Sequence, residues 1–142
     1  MLTKALQLHK QGEDWFGQAN DLARLGDLYL RRGELDKAEE SWTEALSLYD
    51  QAQLVEERVY ILQKLGDLQT QEGTLNKAEE LLTKALKLCK QGEDYFGQAN
   101  NLARLGDLHL RKGELNKAEE SWTNALSHYT QTQSTEEQAK TL

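Results

Sequence analysis

Leu25-Gly26-Asp27-Leu28, then Gly33-Glu34-Leu35, then Lys37-Ala38-Glu39-Glu40: this stretch decides the fold because the chain writes it three times. It returns as Leu65-Gly66-Asp67-Leu68, Gly73-Thr74-Leu75 and Lys77-Ala78-Glu79-Glu80, and again as Leu105-Gly106-Asp107-Leu108, Gly113-Glu114-Leu115 and Lys117-Ala118-Glu119-Glu120. The spacing is constant, since 66−26 and 106−66 both give 40. A period of this length marks a solenoid, built from one supersecondary unit that buries its apolar face against its neighbours. The class of function that follows is a binding scaffold.

Each unit reads as two helices and a tight turn. Leu22, Leu25, Leu28 and Tyr29 recur at helical spacing and make one apolar stripe. Arg32-Gly33 ends that helix, with a basic residue at the negative end of the dipole and a glycine for the left-handed position. The spacing Asp36…Glu39, repeated as Asn76…Glu79 and Asn116…Glu119, predicts a capping box opening the second helix. The buried face of that helix is Ala38, Trp42, Ala45, Leu46 and Tyr49. Its alanines, like Gly26, Gly66 and Gly106, let helix axes approach closely.

From this core the repeats extend outward. Full repeats are expected over about 17–52, 57–92 and 97–132, with half-repeats over 1–16 and 133–142. A second period sits above the first: between 2–51 and 82–131 only ten pairs differ, so the duplicated unit is 80 residues. Its connectors alternate. Gln11-Gly12-Glu13-Asp14 and Gln91-Gly92-Glu93-Asp94 should turn at Gly12 and Gly92, with Asp14 and Asp94 as N-caps. Gln51-Ala52-Gln53-Leu54 lacks the glycine, and its helix should run further. Trp15, Phe16, Tyr95 and Phe96 are expected to pack over the seams between repeats.

The Leu-Gly pair, an aromatic one turn later, the turn glycine and the series Ala38, Trp42, Ala45 together resemble the tetratricopeptide repeat (TPR). The resemblance covers almost the whole chain. It departs in length, since the common repeat has about 34 residues, and in the absence of any proline. Both features are similar to the longer repeats of kinesin light chains, spindle adaptors and bacterial arrays. The resemblance implies an all-α, right-handed α-solenoid of antiparallel helix pairs whose first helices line a concave groove. That groove would hold a peptide or partner helix. The half-repeats at both ends are expected of a segment of a longer array, an engineered chain being the alternative. Carried onto this sequence, the groove residues are Asn20, Asp27, Arg31, Tyr60, Gln63, Asp67, Gln71, Asn100, Asp107 and Arg111, beside Ala23, Leu30, Thr70, Ala103 and Leu110. Arg24, Lys64 and Arg104 flank it. Two readings of the aspartates stay open: ligand contacts, or ion pairs with these flanking cations. The Lys and Asn of the two-carboxylate clamp of heat-shock co-chaperones are replaced by Ala23, Asp27 and Lys64, which excludes that role.

Composition sets the remaining bounds. A net charge of −7 argues against a nucleic-acid surface, which needs a basic stripe. No long apolar run or leader pattern is visible, so no membrane partner is expected. The lone Cys89 cannot close an internal disulfide and fits a cytoplasmic setting. His9, His109 and His128 take slots filled elsewhere by Tyr, Cys, Gln or Leu and read as packing residues. No metal-ligand spacing and no phosphate loop is present, so neither an enzyme nor a cofactor is expected. The partner is therefore expected to be a protein or peptide. The alternative is a structural spacer that self-associates head to tail, through Leu2, Leu6 and Leu8 at one end and Ala139 and Leu142 at the other.

Overall fold

The computed structural model describes residues 14–141, with side chains through Gln131. Among the described residues there are helices and no strands: α1 (Trp15–Arg31), α2 (Leu35–Ala52), α3 (Val55–Glu72), α4 (Leu75–Gln91), α5 (Tyr95–Arg111) and α6 (Leu115–Thr141). The fold is an all-α helical-repeat solenoid, as the 40-residue period predicts. Contacts divide the chain into two compact units, Met1–Leu68 and Gln69–Leu142.

The turn inside each repeat is made by backbone alone. Gly33 (φ +78°) donates its N–H to Leu30 O at 3.0 Å, and Glu34 donates to Tyr29 O at 2.9 Å. This is the Schellman arrangement, in which the residue after the helix must be left-handed. Gly73 and Gly113, at φ +87° and +80°, repeat it. Because that turn leads straight into the next helix, α2 and α4 begin at Leu35 and Leu75, after Glu34 and Thr74, without a side-chain cap. The capping box predicted at Asp36 and Asn76 is thus corrected: these residues already lie in the first turn, too late to cap it.

The connectors between repeats also depart from expectation. Gly92 (φ −89°) is still held by its N–H to Leu88 O at 3.2 Å. The left-handed residue is Glu93 (φ +54°), matched by Gln53 (φ +56°) forty positions earlier. Both connectors close alike, Asp94 N–H on Cys89 O at 2.9 Å and Leu54 N–H on Tyr49 O at 3.1 Å. Gly12 lies outside the described residues. The predicted N-caps at Asp14 and Asp94 are present, each Oδ1 accepting from the amide of Gly17 or Gly97 at 2.9 Å.

Packing explains the small residues. In the first unit α1 places Ala19, Leu22 and Leu25 against Ala38, Trp42 and Ala45 of α2, all buried. A side chain at Gly26 would collide with the Trp42 indole, whose Nε1 donates to Ala23 O at 3.3 Å. In the second unit Ala78, Leu82 and Leu86 meet Leu102, Leu105, Leu108 and Ala125. There Gly106 faces Trp122 as Gly26 faces Trp42. The last helix, α6, continues to Thr141 with no connector near Thr132. Leu2, Leu6 and Leu8 lie outside the described residues, as do Leu142 and the Ala139 side chain.

Candidate functional site

In the first unit, α1 carries Asn20, Ala23, Arg24 and Asp27 at spacings of three and four, which share one helix face. The connector turn returns the chain so that the first turns of α3 bring Glu56, Glu57 and Tyr60 opposite them. Arg58 secures that return by an ion pair from Nε to Asp50 Oδ1 at 2.6 Å. With Tyr49 from the end of α2, these residues line a cavity of about 430 Å³.

Tyr49, only 3% exposed, donates its hydroxyl to Asn20 Oδ1 at 2.5 Å. Burial first, then the charge of Glu57 and the neighbouring Tyr60, push the Tyr49 hydroxyl pKa up, while Arg24 acts in the opposite sense. Tyr60 reaches Asp27 Oδ2 with its hydroxyl at 3.4 Å, a long and weak bond. The other oxygen, Asp27 Oδ1, is buried and accepts no hydrogen bond. Among the described residues neither Arg24 nor any other cation forms an ion pair with Asp27, Glu56 or Glu57. The carboxylates of this cavity are therefore not neutralised from within.

Of the groove residues named from the sequence, Asn20, Asp27 and Tyr60 line this cavity, while Arg31 and Gln63 of the same unit do not. In the second unit Asn100 repeats the contact of Asn20, its Oδ1 accepting from the Tyr129 hydroxyl at 2.6 Å. Arg111 spends a guanidinium N–H on Thr70 O at 3.0 Å. Asp107 and Gln71 are exposed there, and Asp67 is exposed in the first unit. Sequence reasoning missed Tyr49, Glu56 and Glu57. The signal available was the acidic pair opening α3, the charge a helix N-terminus favours.

Other candidate groups resolve into packing. Cys89 is buried and its thiol is pushed up to about 11, chiefly by burial and next by Asp94, against a hydrogen bond from Asn101 Nδ2 at 3.5 Å. His109 is buried, with Nδ1 3.7 Å from Glu114. His9 lies outside the described residues. The aromatics expected over the seams are partly exposed, from 38% at Tyr95 to 55% at Phe96. Tyr95 packs against His128 and Phe96 against Tyr129, with ring centroids 6.0 and 5.8 Å apart. Among the described residues no three His, Cys, Asp or Glu side chains converge on a metal position, and no helix is long and apolar enough to cross a membrane.

Paired helices, backbone-closed glycine turns and a small-on-aromatic contact repeated at 40 residues define a helical-repeat scaffold. Models of one family, described as Tetratricopeptide repeat, match residues 14–52 and 59–91. The chain belongs to the tetratricopeptide repeat family. Its fold is similar to that of BtubC (BKLC) from P. vanneervenii, with a TM-score of 0.75 at 18% identity, covering 92% of this chain and 61% of that one. It is similar to the TPR domain of Arabidopsis FLU, with a TM-score of 0.72 at 19% identity, covering 80% of this chain and 95% of that one. The nearly identical TPR-like repeats of a Podosopora anserina protein assigned as a kinesin light chain give 0.75 at 14% identity, covering 93% and 65%. The chain thus spans under two thirds of the BtubC and Podosopora proteins it matches. No curated protein sequence matches it significantly. Proteins of this family act in general as protein-interaction scaffolds without catalytic activity.

Proposed function

We propose that the chain is a protein-interaction module that holds an extended peptide or partner helix along α1 and the start of α3. The observation that carries this reading is the cavity joining Asn20, Asp27 and Tyr60 to Glu56 and Glu57, with its carboxylates free of internal ion pairs. A surface locked for stability alone would pair those charges, whereas a recognition surface keeps them available. Its test is charge reversal against 12-residue peptides selected from a random display library on the full chain. Asp27→Lys with Glu57→Lys should weaken binding at least about tenfold. Glu40→Lys with Glu80→Lys, at exposed positions that do not line the cavity, should leave it unchanged. Equal effects would remove this groove from consideration.

The second reading is self-association through a repeat face. It is favoured by Leu115, Trp122 and Leu126, which are 64%, 38% and 66% exposed, while Leu35, Trp42 and Leu46 at the same register are half-buried or buried. This apolar face would then be covered by a second copy of the chain. Sedimentation of the parent and of Trp122→Gln with Leu126→Gln separates the two: association lost in the variant supports it, a parent monomeric at millimolar concentration ends it.

A further inference from the structure

We infer that the cavity between α1 and α3 is a selectivity pocket for a basic side chain, a lysine or arginine presented by the bound peptide. The inference rests on the peptide-groove reading above and assigns what that groove selects. Its charge is the first argument. Asp27, Glu56 and Glu57 line it against Arg24 alone, and no ion pair neutralises any of the four among the described residues. The second is the acceptor capacity left on Asp27: its Oδ1 is enclosed, makes no hydrogen bond and is closed to an incoming donor, so the other oxygen is the one a ligand would meet. Its partner oxygen has only the long Tyr60 contact of 3.4 Å. An ammonium or guanidinium offers several N–H donors and no acceptor, which matches an acceptor-only carboxylate.

The walls fit the stem of such a side chain as well as its head. Ala23 and the rings of Tyr49 and Tyr60 supply apolar surface on which the methylenes of Lys or Arg can lie. The Tyr60 ring already attracts a cation, with Lys64 Nζ 5.4 Å from its centroid. A volume of about 430 Å³ admits one long side chain with water around it. The carboxylates do not converge as metal ligands, so the pocket suits an extended organic cation rather than an ion. An acidic peptide is excluded by the same charges, which would face it unpaired.

The test uses labelled dodecapeptide pools, degenerate in Ala, Ser, Gly and Leu and differing only at a fixed central Lys, Arg, norleucine or Glu. Anisotropy is read on the full chain. The Lys and Arg pools should bind at least about tenfold more tightly than the norleucine and Glu pools. That preference should disappear in Asp27→Asn with Glu57→Gln, whose fold is verified by circular dichroism. Equal binding of all pools, blocked by Glu56→Trp at the cavity rim, would overturn the basic pocket and leave the peptide groove standing. Binding that Glu56→Trp does not touch would overturn both.

Discussion

Trp42 and Trp122 stand eighty residues apart in the same local sequence, Ser-Trp-Thr, each opposite a glycine of the preceding helix. One is 1% exposed and the other 38%. The local contact is the same, so the difference comes from what lies beyond it. In the first unit, α2 is followed by the opening of α3, whose Ile61, Leu62 and Leu65 are buried and whose Arg58 clasps Asp50. In the second, α6 has no such successor among the described residues. A repeat encodes its own helix pair; the burial of its outer face is contributed by a neighbour.

The sharpest way to break this comparison is truncation of both indoles. Trp42→Ala should cost about 3–5 kcal/mol in urea unfolding, as loss of a fully buried aromatic does, and Trp122→Ala roughly half of that or less. Equal costs would show that the neighbour adds nothing. Overpacking comes next. Gly26→Leu and Gly106→Leu should each destabilise by about 1–3 kcal/mol. The cost should be greater at Gly26, because Trp42 is enclosed and bonded to Ala23 O and cannot swing aside.

Local devices should behave alike in both regions, which sharpens the contrast. Asp14→Ala and Asp94→Ala each remove one cap bond of 2.9 Å and should cost about 1 kcal/mol apiece in the same unfolding assay. The smallest expected effect is read in acid. Lys117 first and then Lys112, by hydrogen bonds at 2.8 and 3.2 Å, hold Glu114 down to about 2 from 4.5. A depressed carboxylate contributes stability above its unfolded value, here lost as pH falls from 4.5 toward 2. Glu114→Gln should flatten the stability profile in that acid window. At the equivalent Glu34, with Lys37 no nearer than 4.0 Å, Glu34→Gln should change it less.

The fold was legible because its signals are periodic: glycines at 26, 66 and 106 and at 33, 73 and 113, with alanines between. Errors fell where one residue of register matters. Gly92 drew the left-handed assignment, yet the helix ends at Gln91 with Gly92 as its cap at φ −89°, and Glu93 takes the strained backbone. Asp36 looked like a cap, but the turn at Gly33 had already opened the helix. The candidate site was half legible. Asn20 and Asp27 came from the resemblance to the repeat family, and they share one helix face. Glu56, Glu57 and Tyr49 belong to segments whose approach is set by the connector, and no spacing within a single helix reports it.

The central claim is that the face of α1 and the start of α3 receives a peptide through a basic side chain. Amide shift mapping of the full chain with the central-Lys dodecapeptide pool tests it most directly. The account predicts that the largest perturbations cluster at Asn20, Asp27, Glu57 and Tyr60, and that the norleucine pool leaves these signals nearly still. Perturbations centred instead on Leu115, Trp122 and Leu126, or identical with both pools, would contradict it.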